Sequence, residues 1–467
     1  MQQYDQFYRD TQSMVAAGRA DEAIVQYRNY MKAAPHTPVM LHNFAALLGD
    51  KGLFSEAVQV CEQAFSMGLD APETLLVYAR ALQGVGRSDE AQANYHKVLS
   101  KKPLDYAAQR ELAQLIWMLS NDADKAVAPI EEYLKAYPSD AGLKVVHAQI
   151  LGFVSDATDE LEALKTVIRL EGAPDVGWDF YLSAALKAGA FEHVLEVATR
   201  GFSSNPNFHK MREYISRACL ALGEPDLAIS HIEKLRALFE GHQYYTALLA
   251  TAYRLNGDER YKEYFDYDAL IGAFPLDVPS GWRSLDSYIN DLVQVLDEMH
   301  QYKAHPFGLS VRNGSQLSSI ENMDHPALKA FAVATAGPIK RYLALVEASY
   351  GDDSPLGAIA GESARLDRAW SVSLPSSGFH VNHVHPQGWL SSACHLRIAE
   401  KSSTDSKAGW LKFGEPGIVT TPPLEDEFFQ KPEVGTIVFF PSYFWHGTVP
   451  FEGATKRLTI AADFLKE

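Results

Sequence analysis

Over its first 270 residues the chain repeats one arrangement of small, apolar and polar positions. Gly18-Arg-Ala-Asp-Glu-Ala23, Gly52-Leu-Phe-Ser-Glu-Ala57 and Gly86-Arg-Ser-Asp-Glu-Ala91 begin 34 residues apart. The position of Ala23 returns at Ala57, Ala91, Ala126, Leu161, Val194 and Ala228, and glycine returns at Gly189, Gly223 and Gly257. A proline comes next in most copies, at Pro35, Pro72, Pro103, Pro138, Pro174 and Pro206. Having no amide donor, and clashing with the preceding turn, each such proline is expected to end a helix. Every unit therefore predicts helix, tight turn, helix, stop. The small residue lets two antiparallel helices approach, and the glycine supplies the left-handed turn between them.

This unit resembles the tetratricopeptide repeat over seven or eight copies, which implies an α-solenoid across residues 1–270 with a concave binding surface. The aromatic stripe Tyr27, Tyr30, Phe65, Tyr95 and Tyr133 is read as packing between helices, with the groove a property of the array as a whole. The periodicity stops near Tyr264-Phe265, and the Pro/Gly-marked stretch from Phe274 to Trp282 reads as a domain boundary. Beyond it, Leu285 to His300 and His325 to Ala348 carry helical spacing, with Pro338 expected to kink or divide the second. His305 to Gln316 reads as loop or edge strand. Residues 275–365 are thus expected to connect the solenoid to the C-terminal segment and to support that segment.

From about Arg368 the pattern becomes β. Short runs at Arg368–Leu374, Trp389–Ile398, Gly409–Phe413, Thr436–Phe440 and Arg457–Phe464 are separated by Pro, Gly and Ser clusters. A segment of roughly a hundred residues with this punctuation suits a double-stranded β-helix of jelly-roll type. The expected fold class is α+β multidomain: the solenoid at 1–270, flanking helices at 275–365 and the jelly roll at 366–467.

Composition narrows the partners. The 42 Lys and Arg against 59 Asp and Glu give a net charge of −17, which opposes broad binding to nucleic acid or an anionic membrane. Cys61, Cys219 and Cys394 lie too far apart for a disulfide framework or a CxxC metal site, and suit a reducing compartment. No eighteen uncharged apolar residues occur in a row and no secretion signal is read at the start, so a cytoplasmic protein with no membrane span is expected.

The chemistry is concentrated in the β segment. Its first phrase runs Phe379-His380-Val-Asn-His383-Val-His385-Pro-Gln-Gly-Trp-Leu-Ser-Ser-Ala-Cys-His395. If the segment is extended, His383 and His385 share a face while His380 points the other way. A second phrase, Gly435-Thr-Ile-Val-Phe-Phe-Pro-Ser-Tyr-Phe-Trp-His446-Gly447, delivers one histidine after a buried strand, and Arg457-Leu-Thr459 opens another. Three imidazoles on one face suit Fe(II) with open positions for a keto acid and dioxygen. Arg457 can grip a carboxylate bidentately, with Thr459 beside it on the same strand face. A buried arginine needs an anionic partner, which is either such a cosubstrate or a protein carboxylate such as Glu452 or Asp463.

Residues Trp370 to Phe464 resemble the 2-oxoglutarate and Fe(II)-dependent oxygenases, and the whole chain resembles those oxygenases that carry tetratricopeptide repeats. The resemblance implies that His383 and His446 bind iron and that Arg457 with Thr459 holds the distal carboxylate of 2-oxoglutarate. Most of that superfamily has an acid two residues after the first histidine, where this chain has His385. Either His385 is the third ligand, as its shared face with His383 favours, or iron is held by two histidines and solvent. Family tyrosines correspond to Cys394-His395, which makes His395 a further candidate contact to the keto acid. The resemblance implies Fe(II), 2-oxoglutarate and dioxygen as cofactor and cosubstrates, and a solenoid of this size suits a peptide or protein substrate. Two alternatives stand beside it: a repeat scaffold with an inactive or sensing β-domain, and a three-histidine dioxygenase that does not use 2-oxoglutarate.

Overall fold

The structure is a computed structural model, and it describes residues 2–33, 35–155, 157–168, 175–357, 362–398 and 406–467. Pro174, one of the expected helix stops, lies outside these residues. Among the described residues the repeats form seven antiparallel helix pairs, from Gln2–Ala16 with Ala20–Ala33 through Lys210–Leu222 with Pro225–Leu238, followed by the single helix Gln243–Asn256. Ala23, Ala57, Ala91, Ala126, Val194 and Ala228 are all fully buried where paired helices touch. Gly18, Gly52, Gly86, Gly189, Gly223 and Gly257 have φ between 64° and 81°, the left-handed region that lets each first helix end in a tight turn. The fourth pair has no glycine there, and Asn121, with φ 56°, takes the same conformation.

Two proline expectations need correction. Pro72 starts the helix Pro72–Gly84, in a position where a missing amide donor costs nothing. The preceding helix has already ended at Ser66, before the turn at Gly68. Pro338 does not divide its helix either: the break falls at Ala330, and Phe331–Tyr350 runs through the proline. The carbonyl that Pro338 leaves without an in-helix donor is that of Ala334, and the amide of Asp277 donates to it at 3.0 Å.

Eleven strands complete the chain among the described residues: β1 (Gly272–Pro275), β2 (Val311–Arg312), β3 (Ser315–Ser318), β4 (Ala364–Leu374), β5 (Phe379–His380), β6 (Leu390–Arg397), β7 (Leu411–Phe413), β8 (Phe428–Gln430), β9 (Thr436–Pro441), β10 (His446–Thr448) and β11 (Arg457–Lys466). β1, β9, β6, β11, β4 and β3 make one antiparallel sheet in that order. β10-β7-β8 and β2-β5 make two small sheets, and an isolated bridge joins His446 of β10 to His383, three residues after β5. Residues of the large and small sheets line one interior cleft, so the layers form a sandwich open at one end.

The solenoid and the sandwich are packed together. The indole Nε1 of Trp445 donates to Thr251 Oγ1 at 2.9 Å, Tyr443 Oη donates to the Tyr264 carbonyl at 2.9 Å, and Arg254 reaches the carbonyls of Gly414 and Glu425. The segment 302–322 crosses four successive repeats. Asn322 donates to the Lys51 carbonyl, Tyr302 to that of Gln83, Trp117 Nε1 to that of His305, and Phe307 stacks on Phe153 at 4.9 Å. Part of the inner surface of the array is therefore occupied by the chain itself.

A Thr251→Val substitution keeps the shape and leaves the buried Trp445 indole without an acceptor. It is expected to destabilise the protein by about 1–3 kcal/mol, read as a lower denaturation midpoint. An unchanged midpoint would show that this contact does not hold the two parts together.

Candidate metal centre

The ends of two loops meet at His383 and His446. The amide of His383 donates to the His446 carbonyl at 2.9 Å and the amide of His446 returns the bond at 3.0 Å. β9 brings His446 there: its apolar run Ile437–Phe440 is buried, and a turn closed by the Phe444 amide on the Pro441 carbonyl re-aims the chain. Gly447 must lack a side chain, since a Cβ would lie 2.5 Å from Asn382 Oδ1 and 2.9 Å from the His380 carbonyl. His385 is placed by its amide, which donates to the Ser442 carbonyl at 2.9 Å, and by the Gln243 amide of the last repeat helix, which donates to Pro386.

Among the described residues, His383, His385 and His446 form a group whose candidate ligand atoms all lie within 4.8 Å of one another. Their outer nitrogens are committed. His383 Nδ1 donates to the Val381 carbonyl at 2.9 Å, His446 Nδ1 to the Phe444 carbonyl at 2.8 Å, and His385 Nδ1 to Asp463 Oδ1 at 2.5 Å. The Nε2 atoms are left to one another and to the cleft, and those of His383 and His385 meet at 3.2 Å, a separation at which either a proton or a metal ion lies between them. For metal–nitrogen bonds of about 2.1 Å, ligands at right angles sit about 3 Å apart. The 3.2 Å between His383 and His385 is close to that spacing, so this pair can bind one divalent ion. Burial, with His385 the next cause, pulls His383 down to about 3, and burial holds His446 well below the ordinary imidazole range, so both stay neutral at physiological pH.

The carboxylate missing beside His383 in sequence reappears at one remove. Asp463 accepts from His385 and from Ser391 Oγ at 2.8 Å, and Ser391 also meets Ser442 Oγ at 2.9 Å. Sequence reasoning weighs Asp463 only as an ion-pair partner for Arg457. Its true neighbourhood is legible in the period of two, which puts Arg457, Thr459, Ala461 and Asp463 on one face of β11. Neither carboxylate considered for Arg457 pairs with it, because Glu452 accepts instead from Ser376 and Ser377.

His380 corrects a sequence expectation. It faces the same cleft as His383, ring against ring at 6.0 Å, because the chain bends at Asn382 and strand alternation does not carry across the bend. Its Nδ1 meets Ser310 Oγ at 3.0 Å.

In the same cleft, Arg457 is 2% exposed and donates to the Gly409 carbonyl at 2.9 Å, while its Nε has no partner among the described residues. Thr459 Oγ1 and both ring nitrogens of His395 are also buried without partners among the described residues, and Thr459 and His395 are direct cross-strand neighbours. Burial lowers Arg457 to about 10, which leaves it cationic at neutral pH. A guanidinium, a hydroxyl and an imidazole with unmet hydrogen bonds have the chemistry to receive a carboxylate. The cleft is narrow, about 40 Å³, and adjoins a cavity of about 860 Å³ with Trp370, His383 and His385 in the shared wall.

Residues 368–463 match the family model described as "Putative 2OG-Fe(II) oxygenase". No curated protein matches the chain. The crystal structure of a tetratricopeptide repeat protein from Parabacteroides merdae aligns with 54% of this chain and 99% of its own, at 15% identity and a TM-score of 0.38. A prolyl-4-hydroxylase from Pseudomonas putida aligns with 43% of this chain and 94% of its own, at 13% identity and a TM-score of 0.28. Likenesses at these scores carry no weight for function. No helix among the described residues is long and apolar enough to cross a membrane.

An Asp463→Ala variant frees the His385 ring, and is expected to weaken divalent metal binding by about 10–100-fold. Equilibrium titration beside the unaltered protein checks this, and equal affinities would remove Asp463 from the site.

Proposed function

We propose that this chain, a tetratricopeptide-type helical array joined to a C-terminal domain of the 2OG-Fe(II) oxygenase kind, is an Fe(II)- and 2-oxoglutarate-dependent hydroxylase of a peptide or protein side chain. One observation carries the reading: three imidazoles share a cleft with Arg457 and Thr459, and these two, with His395 across the strand from Thr459, have unmet hydrogen bonds among the described residues. Imidazole donors alone suit several metals. The adjoining receptor for a carboxylate selects iron with an organic-acid cosubstrate among them.

In this reading His383, His385 and His446 hold the metal, Arg457 and Thr459 take the distal carboxylate of 2-oxoglutarate, and His395 lies beside it. When bound, iron and the keto acid supply the oxidative chemistry: dioxygen is split between succinate, formed with loss of carbon dioxide, and a hydroxyl group on the substrate. The protein's own residues position and exclude. Val381 and Phe444 carbonyls fix two ring tautomers, Asp463 fixes the third, and Trp370, Val372 and Phe440 line the cleft with apolar surface. Three neutral imidazoles leave the +2 charge of the ion undiminished, and Asp463 moderates it through the His385 ring.

A dioxygenase that ignores 2-oxoglutarate would give the orphaned atoms of Arg457, Thr459 and His395 no use. Three buried, unpaired cysteines are in keeping with a cytoplasmic location.

Anaerobically purified full-length protein given Fe(II), 2-oxoglutarate and then oxygen is expected to form succinate. Arg457→Ala should weaken 2-oxoglutarate binding by about 10-fold or more while keeping iron, as measured by calorimetry. No binding of metal or 2-oxoglutarate by the unaltered chain would sink the proposal.

The ligand set has its own test. His385→Ala is expected to lose iron as His383→Ala and His446→Ala do. Iron retained at the unaltered level in His385→Ala alone would leave two histidines and solvent as the ligands.

A further inference from the structure

The large cavity outside the three histidines is walled by β2, by the start of β4, by the segment carrying His383 and His385, and by His242 from the array. Its volume, about 860 Å³, is at the upper end of small-ligand sites. It adjoins a second cavity of about 440 Å³, with Leu309, Gln316 and Ser318 in both linings. That second cavity lies between the repeats and the segment crossing them, with Phe54, Tyr95 and Phe307 in its wall beside Arg80, Arg110 and Glu111.

Two arginines and two aspartates line the first cavity, and among the described residues Arg312 is the charged group of the four without an oppositely charged partner. Asp463 is engaged by His385 and Ser391, and Asp367 by Arg365 and Arg368. Arg312 is half-buried in the same wall. Its only hydrogen bonds among the described residues run from Nη1 to the Leu309 and Val311 carbonyls, at 2.6 and 2.8 Å, and no carboxylate pairs with it. Those bonds fix the guanidinium in place and leave its charge unanswered. Burial pulls Arg312 below the usual arginine range, with no carboxylate among the described residues to offset it.

We propose that Arg312 receives a carboxylate of the substrate, and that the substrate is an acidic stretch of an extended peptide. The carboxylate would pair with the free edge of the guanidinium, and the adjoining aromatic cavity would take a neighbouring apolar side chain. Two cavities totalling more space than a small acid fills favour the peptide as the source of that carboxylate. The inference rests on the oxygenase reading, since it assumes that the cavity delivers substrate to the three histidines. Binding, however, is measured without turnover.

The test uses the full-length protein and three pools of fluorescent peptides of equal length, matched except that one is enriched in Asp and Glu, one in Asn and Gln, and one in Lys and Arg. The acidic pool is expected to bind about 10-fold or more tightly than the amide pool. Arg312→Ala should erase that preference, Arg312→Lys should keep most of it, and Arg312→Glu should favour the basic pool. Loss of preference in the lysine variant together with the alanine variant, or a preference untouched in all three variants, overturns the assignment. So does equal binding of the pools by the unaltered protein. Competition by N-acetylglutamate amide as effective as the acidic pool overturns the peptide part. Iron and 2-oxoglutarate binding, measured on the same samples, should be unchanged by the substitutions. If the unaltered chain binds neither, the oxygenase reading fails while the peptide preference is judged on its own.

Discussion

The site depends on the pair of backbone hydrogen bonds that His383 and His446 exchange. They fix two loops that are 63 residues apart in sequence as neighbours across a two-residue bridge, and every imidazole direction is referred to that bridge. His385 is held to it because its own amide is tied to Ser442, in the turn that leads into His446. The array supports the same point from outside. The helix Gln243–Asn256 offers the Gln243 amide to Pro386 and the Thr251 hydroxyl to Trp445, so one repeat helix touches the chain just after one histidine and just before another. The ring nitrogens are oriented by peptide groups and a carboxylate that do not themselves face the cleft, the kind of outer support that makes a ligand set precise.

The repeats are legible in the sequence because their signal is a backbone requirement. A left-handed turn accepts glycine or asparagine and little else, and a helix crossing point accepts alanine, so the period survives whatever the surface does. His383, His385, His446, Arg457 and Thr459 are legible as residue types in an order suited to one chemistry, and the structure brings them to a single cleft. What sequence reasoning misses has a common origin in long-range placement. Strand alternation misplaces His380, because that rule ends at the bend of Asn382. Pro338 looks disruptive within its own helix, although Asp277 from another segment satisfies the carbonyl it strands. β8 and β10 are three residues each, too short for a period to be counted. Asp463 is on the right face of its strand, but its partner lies 78 residues earlier, and nothing local marks that pairing.

Net charge and site charge point in opposite directions. The chain carries −17 overall, yet the cleft and cavity hold Arg457 and Arg312 with no carboxylate paired to either among the described residues. An excess of surface acid governs solubility and approach at distances comparable to the screening length. Inside the fold the field is set by the few groups that water cannot reach, and there a single guanidinium outweighs the surface balance.

A tetratricopeptide array on its own is nearly one-dimensional: each repeat touches its neighbours, stability accumulates unit by unit, and melting can begin at any end. The crossing segment and the docked helix alter that connectivity. The bonds Trp117–His305, Thr251–Trp445, Gln83–Tyr302 and Lys51–Asn322 join residues 188, 194, 219 and 271 positions apart. Contacts of such separation are entropically costly to close and form late, so the early repeats must wait for chain made much later before their inner face is covered. Once closed, they couple repeats that otherwise communicate only through neighbours. The solenoid thereby gives up the independence of its units, and the protein gains a single cooperative body in which fraying at the second repeat is felt at the sheet.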